Sequence, residues 1–73
     1  MARKAKNVVG PKVRKLRDAR GLSQRELAEK CQLIGWDIGR DTIAKIEGRT
    51  RWVGDQELAF LAQALDISIE SLF

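Results

Sequence analysis

Cys31 is the only cysteine in a chain of 73 residues, so no disulfide bond can join two parts of this chain. The sequence has no histidine either, and one cysteine alone cannot build a zinc site. A domain of this size buries little surface and is usually only marginally stable. Its stability must therefore come from packing, and 44% hydrophobic residues are enough for one small core. Cys31 lies at helical spacing from Leu27 and Ala28, so we interpret it as part of that core.

Residues that favour helices dominate the composition, and Pro11 is the only proline. This composition predicts an all-α fold. No apolar run approaches the roughly 20 residues that a membrane-spanning helix needs. The basic start, "MARKAKN", is not followed by the apolar segment of a signal peptide, so we expect a cytoplasmic protein.

The net charge of +4 is unevenly distributed along the chain. Residues 1–25 contain nine Lys and Arg against one Asp, a local charge of +8. Residues 26–73 contain five Lys and Arg against nine Asp and Glu, a local charge of −4. Such a dipole favours a polyanion at one face, although a solubilising tail with solvated helices explains the same counts.

Residue spacing and helix-end signals predict five helices. The first covers residues 11–20, with Val13, Leu16 and Ala19 on its buried face. The second begins at a capping box, "SQRE", formed by Ser23 and Glu26. The remaining three are expected over residues 40–47, 55–65 and 68–73.

Ile43 and Ile46 pin the third predicted helix to the core and leave its long polar side chains facing outward. Before this helix, "QLIGWDIG" indicates a turn that is longer than usual. In the last helix, Ile69, Leu72 and Phe73 are candidates to close the core.

The stretches "LSQRELAEK", "TIAKIEG" and "LAQALDISIESLF" follow the first helix in this order. This order resembles the phage-repressor (Cro/XRE) type of helix-turn-helix domain over residues 13–73. The resemblance implies a compact five-helix, lambda-repressor-like bundle over residues 9–73, preceded by a flexible basic arm over residues 1–8. It also implies a transcriptional regulator that binds double-stranded DNA sequence-specifically, with the third helix in the major groove.

The resemblance also assigns roles to individual residues. Base contacts are expected from the outward-facing residues Arg40, Asp41, Ala44 and Lys45. Phosphate contacts are expected at the start of the second helix and around the third, from Ser23, Gln24, Arg25, Thr42, Arg49, Thr50 and Arg51. The basic arm would track a groove with Arg3, Lys4 and Lys6, and a soluble tail is an equally good interpretation.

Alternatives remain for several of these residues. Arg40 and Lys45 could contact phosphate or only solvent instead of bases. Asp41 could accept from cytosine N4, but we favour a role in orienting Arg40 or capping the helix. Thr42 either contacts phosphate or completes the first turn.

In the same family, an arginine on the first helix and a glutamate that ends the third form a buried pair, which here implies Arg17 and Glu47. The chain departs from the family in the turn, because Gln24 and Glu47 are about five residues further apart than usual. Either the second helix continues through Leu33 or "LIGWD" bulges outward. Gly39 occupies the usual position of a Ser or Thr cap, and Asp37 is the candidate substitute.

The two tryptophans are assigned packing roles. We expect Trp52 to pack on the start of the fourth helix. Trp36 is interpreted as a core residue, with a dimer contact or the edge of a ligand site as alternatives.

Nothing in the sequence predicts catalysis. There is no phosphate-binding glycine loop, and Cys31 has no imidazole to activate it. We therefore expect no enzymatic activity, cofactor, metal or small-molecule ligand. The main alternative to DNA binding is a protein-interaction module, antitoxin-like or an adaptor, with the same fold. RNA binding is disfavoured by the absence of tyrosine and of an aromatic stacking platform, and a homodimer remains open.

Overall fold

The computed structural model describes residues 9–73, and these form helices joined by short connections. The elements are α1 Gly10–Ala19, α2 Gln24–Leu33, α3 Arg40–Glu47, α4 Asp55–Leu65 and a 3₁₀ helix Ile69–Leu72. No strand occurs within this range. The all-α class is therefore confirmed, but the fifth predicted helix is a single 3₁₀ segment and not an α-helix.

One core lies between the helices. α3 packs against both α1 and α2, and α4 packs against α2 and the 3₁₀ helix. The largest fully buried side chains come from every element and include Val13, Leu27, Cys31, Ile43, Ile46, Leu61, Leu65 and Leu72. Cys31 is a buried core residue as predicted, and burial raises the pKa of its thiol to about 11.

The buried face of α1 differs from the predicted one. Val13 is buried, but Ala19 is exposed, so its assignment to the core was wrong. Six residues turn a helix by about 600°, which places Ala19 on a different side from Val13. The residue one turn after Val13 is Arg17, and it is only 8% exposed.

The predicted capping box at the start of α2 is confirmed. Ser23 Oγ accepts a hydrogen bond from the Glu26 backbone N–H at 3.0 Å, and Glu26 Oε1 accepts one from the Ser23 N–H at 2.8 Å. These bonds satisfy two backbone donors that the helix itself cannot pair. They also lower the pKa of Glu26 below its ordinary value.

The connection between α2 and α3 follows the first of the two alternatives, because α2 continues through Leu33. Gly35 then takes φ +104°, a backbone conformation that residues with a side chain rarely adopt. The Trp36 N–H donates back to the Cys31 carbonyl at 2.9 Å, which ends the helix. Trp36 is half-buried, and its ring stacks on Phe60 of α4 at 5.7 Å between centroids.

The end of the chain covers the core less fully than expected. Leu72 is buried, but Ile69 and Phe73 are 41% and 65% exposed, so the prediction that they close the core was wrong. Residues 69 to 72 form a 3₁₀ segment with about three residues per turn, so this short element turns only one large side chain fully inward.

Arg20 satisfies carbonyl groups at the C-terminal end of α4. Its Nε donates to the Leu65 carbonyl, and its Nη2 donates to the Asp66 carbonyl at 3.0 Å. Asp66 ends the helix in the left-handed region at φ +58°. A cation at this end also complements the helix dipole.

A buried ion pair joins α1 to the last residue of α3. Arg17 Nε donates to Glu47 Oε2 at 2.6 Å, and Nη2 donates to Oε1 at 3.1 Å. The side chains of Arg17 and Glu47 are only 10% and 4% exposed. The remaining nitrogen, Nη1, donates to the Leu22 carbonyl at 2.6 Å. This is the pair that the family resemblance implied, and its hydrogen bonds raise the pKa of Arg17 above its ordinary value.

Replacing Arg17 with Met should lower the free energy of unfolding by about 3 to 5 kcal/mol, because Glu47 would remain as an unpaired buried charge. The double variant Arg17→Met/Glu47→Leu should recover most of that loss, since no charge is then buried. Urea unfolding followed by tryptophan fluorescence measures both effects. Strictly additive losses would mean that the two side chains stabilise the fold independently.

Candidate nucleic-acid interface

α3 has one buried face and one exposed polar face. Ile43 and Ile46 are completely buried, and Glu47 is 9% exposed. The four residues predicted to contact bases, Arg40, Asp41, Ala44 and Lys45, are all exposed. The first two occupy the first turn of the helix, and the other two occupy the next turn on the same side.

The N-terminus of α3 begins without a side-chain cap. Gly39 is the N-cap residue, and no side chain hydrogen-bonds to the free backbone N–H groups there. Asp37 therefore does not replace the missing cap, and that expectation was wrong. The capping role considered for Asp41 is likewise not present. Thr42 is half-buried in the first turn, where its N–H pairs with the Gly39 carbonyl at 3.1 Å.

The start of α2 borders the same surface and carries three of the expected phosphate contacts. The Gln24 side-chain amide donates to Glu47 Oε1 at 3.1 Å, so the Arg17–Glu47 pair also orients Gln24. Arg25 is exposed and makes a surface pair with Glu29 at 3.3 Å, an interaction of small energy. The Ser23 hydroxyl is used in the capping box.

The segment after α3 turns sharply at Arg49. The Thr50 N–H donates to the Lys45 carbonyl at 3.0 Å, and the Arg49 N–H donates to the Ile46 carbonyl at 3.1 Å. This is the Schellman arrangement, which needs a left-handed residue just beyond the helix. That residue is Arg49, at φ +65°, although Gly48 directly precedes it. Arg49 and Thr50 are both exposed, on the same end of α3 as Lys45.

Arg51 is engaged by protein groups. Its Nη1 and Nη2 donate to Glu57 Oε1 and Oε2 at 2.8 and 2.9 Å, a bidentate pair. Its guanidinium carbon lies 6.0 Å from the centre of the Trp36 ring, within cation–π distance. The carboxylate of Glu57 neutralises this guanidinium, so Arg51 differs from the exposed cations Arg40 and Arg49.

Residues 13–72 match the model of the helix-turn-helix family HTH_3. The chain belongs to this helix-turn-helix family of DNA-binding transcription regulators. Among solved structures, it is similar to the restriction-modification controller protein C.AhdI from Aeromonas hydrophila, with 35% identity and a TM-score of 0.79. That alignment covers 89% of this chain and 87% of C.AhdI. No curated protein sequence matches the chain significantly.

Two further regulators share the fold at lower identity. The clp gene regulator ClgR from C. glutamicum is 22% identical, with a TM-score of 0.81, over 97% of this chain and 86% of its own. The hypothetical transcription factor NHTF from Neisseria is 23% identical, with a TM-score of 0.79, over 94% of this chain and 74% of its own. The resemblance to phage-repressor-type domains is therefore confirmed for the family and the fold.

In this helix-turn-helix domain, α2 and α3 are the two arms of the motif. Two side chains that hydrogen-bond within this domain were not predicted from the sequence. The pairing of Glu57 with Arg51 was not predicted, because two residues six positions apart have no helical spacing. Gln32 was not noticed at all, yet its Nε2 donates to the Ile38 carbonyl at 2.6 Å.

Trp52 lies over the start of α4, as expected, but remains 65% exposed. A Cβ atom added to Gly54 would lie 2.9 Å from the Trp52 ring, so the ring covers this glycine closely. Arg3, Lys4 and Lys6, expected to form the basic arm, lie outside the described residues.

Between Val9 and Phe73, no group of three or more His, Cys, Asp and Glu could hold a metal ion. No helix in this part of the chain is long and apolar enough to cross a membrane.

Glu57 allows a prediction about acid stability. Its hydrogen bonds with Arg51 lower its pKa below the ordinary value of 4.5, against the opposing effect of burial. A depressed pKa contributes stability that is complete above the unfolded value and is lost as the pH falls through the folded value. Glu57→Gln should therefore lower the free energy of unfolding by about 1 kcal/mol at pH 7, and this difference should vanish in acid.

Urea unfolding of the wild type and Glu57→Gln at pH 7, 5 and 3 measures this difference. Glu29→Gln is the matched control, because its pair with Arg25 is far more exposed. A difference between the wild type and Glu57→Gln that stays constant down to pH 3 would assign the effect to packing and not to charge.

Proposed function

We propose that the domain reads a specific duplex sequence with the exposed face of α3, which lies in the major groove. The observation that supports this most directly is the division of α3 into two faces. Ile43 and Ile46 hold the helix against the core, while Arg40 and Lys45 project from the opposite side. An amphipathic helix that presents free cations on a protruding face suits a groove lined by phosphates and by acceptor atoms of bases.

Within this face, Arg40 is assigned to guanine O6 and N7, the acceptor pair that matches a guanidinium fork. Lys45, one turn further along, is assigned to an adjacent base pair, and Ala44 to an apolar contact such as a thymine methyl group. Asp41 is assigned to orienting Arg40, because both are exposed neighbours in the first turn and no cap uses the carboxylate.

Phosphate contacts on the two sides of α3 supply the affinity. On one side, the free N–H groups at the start of α2, with Ser23, Gln24 and Arg25, attract an anion. Glu47 takes one N–H of the Gln24 amide, which leaves the second for a phosphate oxygen. On the other side, Arg49 and Thr50 contact the opposite strand, and Thr42 adds a contact from the first turn of α3.

Arg51 receives a different role in this proposal. It was included among the phosphate contacts because it lies just past the third helix, but Glu57 binds its two terminal nitrogens, Nη1 and Nη2. We assign it to holding the segment between α3 and α4 in place, so that Arg49 and Thr50 face the duplex.

A single α3 covers only a few base pairs, so we propose that two copies bind as a homodimer. Their half-sites would lie one helical turn of DNA apart, as for other helix-turn-helix dimers. We also propose that this regulator acts in the cytoplasm, the location expected from the sequence.

The first test is binding of the whole chain to mixed-sequence duplex in dilute buffer. The logarithm of the binding constant should fall with the logarithm of salt concentration with a slope steeper than about −4, at about 0.9 per neutralised phosphate. Arg49→Gly should reduce this slope by about 0.9. The same variant should fold at least as stably as the wild type, because glycine relieves the left-handed strain at this position.

Arg49→Ala is the matched control, since it removes the same cation but keeps a side chain at φ +65°. Arg49→Ala should reduce the salt-dependence slope as much as Arg49→Gly does, but it should not gain stability. Arg51→Ala should change the slope much less than either variant. Absence of duplex binding by the wild type, even in dilute buffer, would favour a protein-interaction role for this fold.

The second test concerns sequence. Arg40→Ala should relax the preference at one base pair by about 1 to 3 kcal/mol in a selection from random duplex, with smaller changes elsewhere. Lys30→Ala removes the same charge from an exposed position that borders α4, and it should leave the preference unchanged. An unaltered preference in Arg40→Ala would remove Arg40 from base recognition.

A further inference from the structure

The first turn of α3 is held to α2 across an open groove. The groove is lined by Arg25, Ala28, Glu29, Gln32, Gly39 and Arg40. Beneath the groove, Ile38 and Ile43 pack with the core, while the backbone at its exposed edge is held by a hydrogen bond. The side chain of Gln32 crosses this region and donates from Nε2 to the Ile38 carbonyl at 2.6 Å.

Ile38 lies two residues before Arg40, and only the N-cap Gly39 separates them. Gly39 has no side chain with which to fix its own position, and no side chain caps the helix there. The Ile38 N–H donates to the Trp36 carbonyl at 2.9 Å, so its other backbone group is used within the turn. The side chain of Ile38 is thus held by the core, and Gln32 binds the carbonyl that joins Ile38 to the N-cap Gly39.

The opposite end of α3 is fixed independently. Ile46 is fully buried, and Glu47 is bound by Arg17 and Gln24. A disturbance at Ile38 would therefore shift the first turn, which carries Arg40, more than the second turn, which carries Lys45. The two ends of the recognition surface are thus held by separate interactions.

From these contacts we infer that Gln32 is a positioning residue for DNA recognition: it sets where Arg40 meets the bases, without contacting the DNA itself. This inference rests on the proposed function of α3. It differs from the general arrangement of the motif, because the hydrogen bond spans the lengthened connection that this chain has between α2 and α3. Gln32 does not cap α3, because it donates to a carbonyl and does not accept from the free N–H groups, but it holds the segment that leads into the helix.

Three variants of the full chain distinguish the effect of the hydrogen-bond donor at residue 32 from the effect of its charge. Gln32→Met keeps the length of the side chain but has no donor, and Gln32→Glu keeps its shape but only accepts at neutral pH. Both should lower discrimination at the base pair that Arg40 reads by about tenfold, a part of what one bidentate contact supplies. Discrimination at the base pair that Lys45 reads should change little.

Gln32→Lys restores a donor and should retain discrimination at the Arg40 base pair. The Glu and Lys variants change the overall affinity in opposite directions, because they carry opposite charges near the DNA. Gln63→Met is the matched control, since Gln63 is an exposed glutamine on α4. Thermal unfolding of each variant confirms that it is folded at the assay temperature.

The assignment to Arg40 is tested by a double-mutant cycle. In an Arg40→Ala background, Gln32→Met should have no further effect on base preference, because Gln32 acts through Arg40. A loss that persists in that background would overturn the inference. The inference would also be overturned if Gln32→Met and Gln32→Glu both left base discrimination unchanged. It would be overturned as well if discrimination depended on the charge of residue 32 and not on its ability to donate a hydrogen bond.

A uniform loss of affinity for all sequences in Gln32→Met would show that Gln32 contacts phosphate directly, which also overturns the inference. These outcomes differ from failure of the proposed function. In that case the wild type would bind no duplex, or would bind without sequence preference, before any variant is compared.

Discussion

The carboxylate of Glu47 accepts hydrogen bonds from Arg17 on α1 and from Gln24 at the start of α2, so one buried group connects three helices. Such a buried pair adds little net stability, because removing two charges from water costs about as much as their attraction returns. What it provides is geometry, since a guanidinium–carboxylate fork tolerates few orientations. The angle between α1, α2 and α3 is therefore set by hydrogen bonding, within a core that apolar packing makes stable.

The fold was largely predictable, because its determinants are local. Leu27 and Cys31 repeat at helical spacing, and the Ser23–Glu26 box needs only four consecutive residues. Errors arose where tertiary contacts determine which residues are buried. Ala19 was assigned to the core from its spacing, but Arg17 is buried on that helix because Glu47 compensates its charge. The family resemblance could supply that pair, since it depends on two positions of the motif. It could not supply the Gln32–Ile38 bond, which lies in the part of the chain that departs from the family pattern.

The proposed surface contains two positions where local structure is less favourable than it could be. Gly39 leaves the start of α3 without a cap, and Arg49 occupies a left-handed conformation that glycine adopts more easily. Gly39 directly precedes the exposed Arg40, and the left-handed residue Arg49 is itself an exposed cation. Strain and missing caps at such places are expected when a side chain is retained for binding rather than for stability. Sequence rules written for stability therefore predict these positions least well.

Counting charges in the sequence alone would overstate how many cations are available to contact DNA. Arg51 contributes a positive charge to the sequence, but Glu57 neutralises it in the fold, so the cations available after α3 reduce to Arg49. From Val53 onward the chain has no basic residue, and the first turn of α4 carries Asp55 and Glu57. An acidic surface repels a polyanion, whereas the exposed cations of α2 and α3 attract it. Arg40, Lys45 and Arg49 therefore mark the part of the surface that we expect to face the duplex.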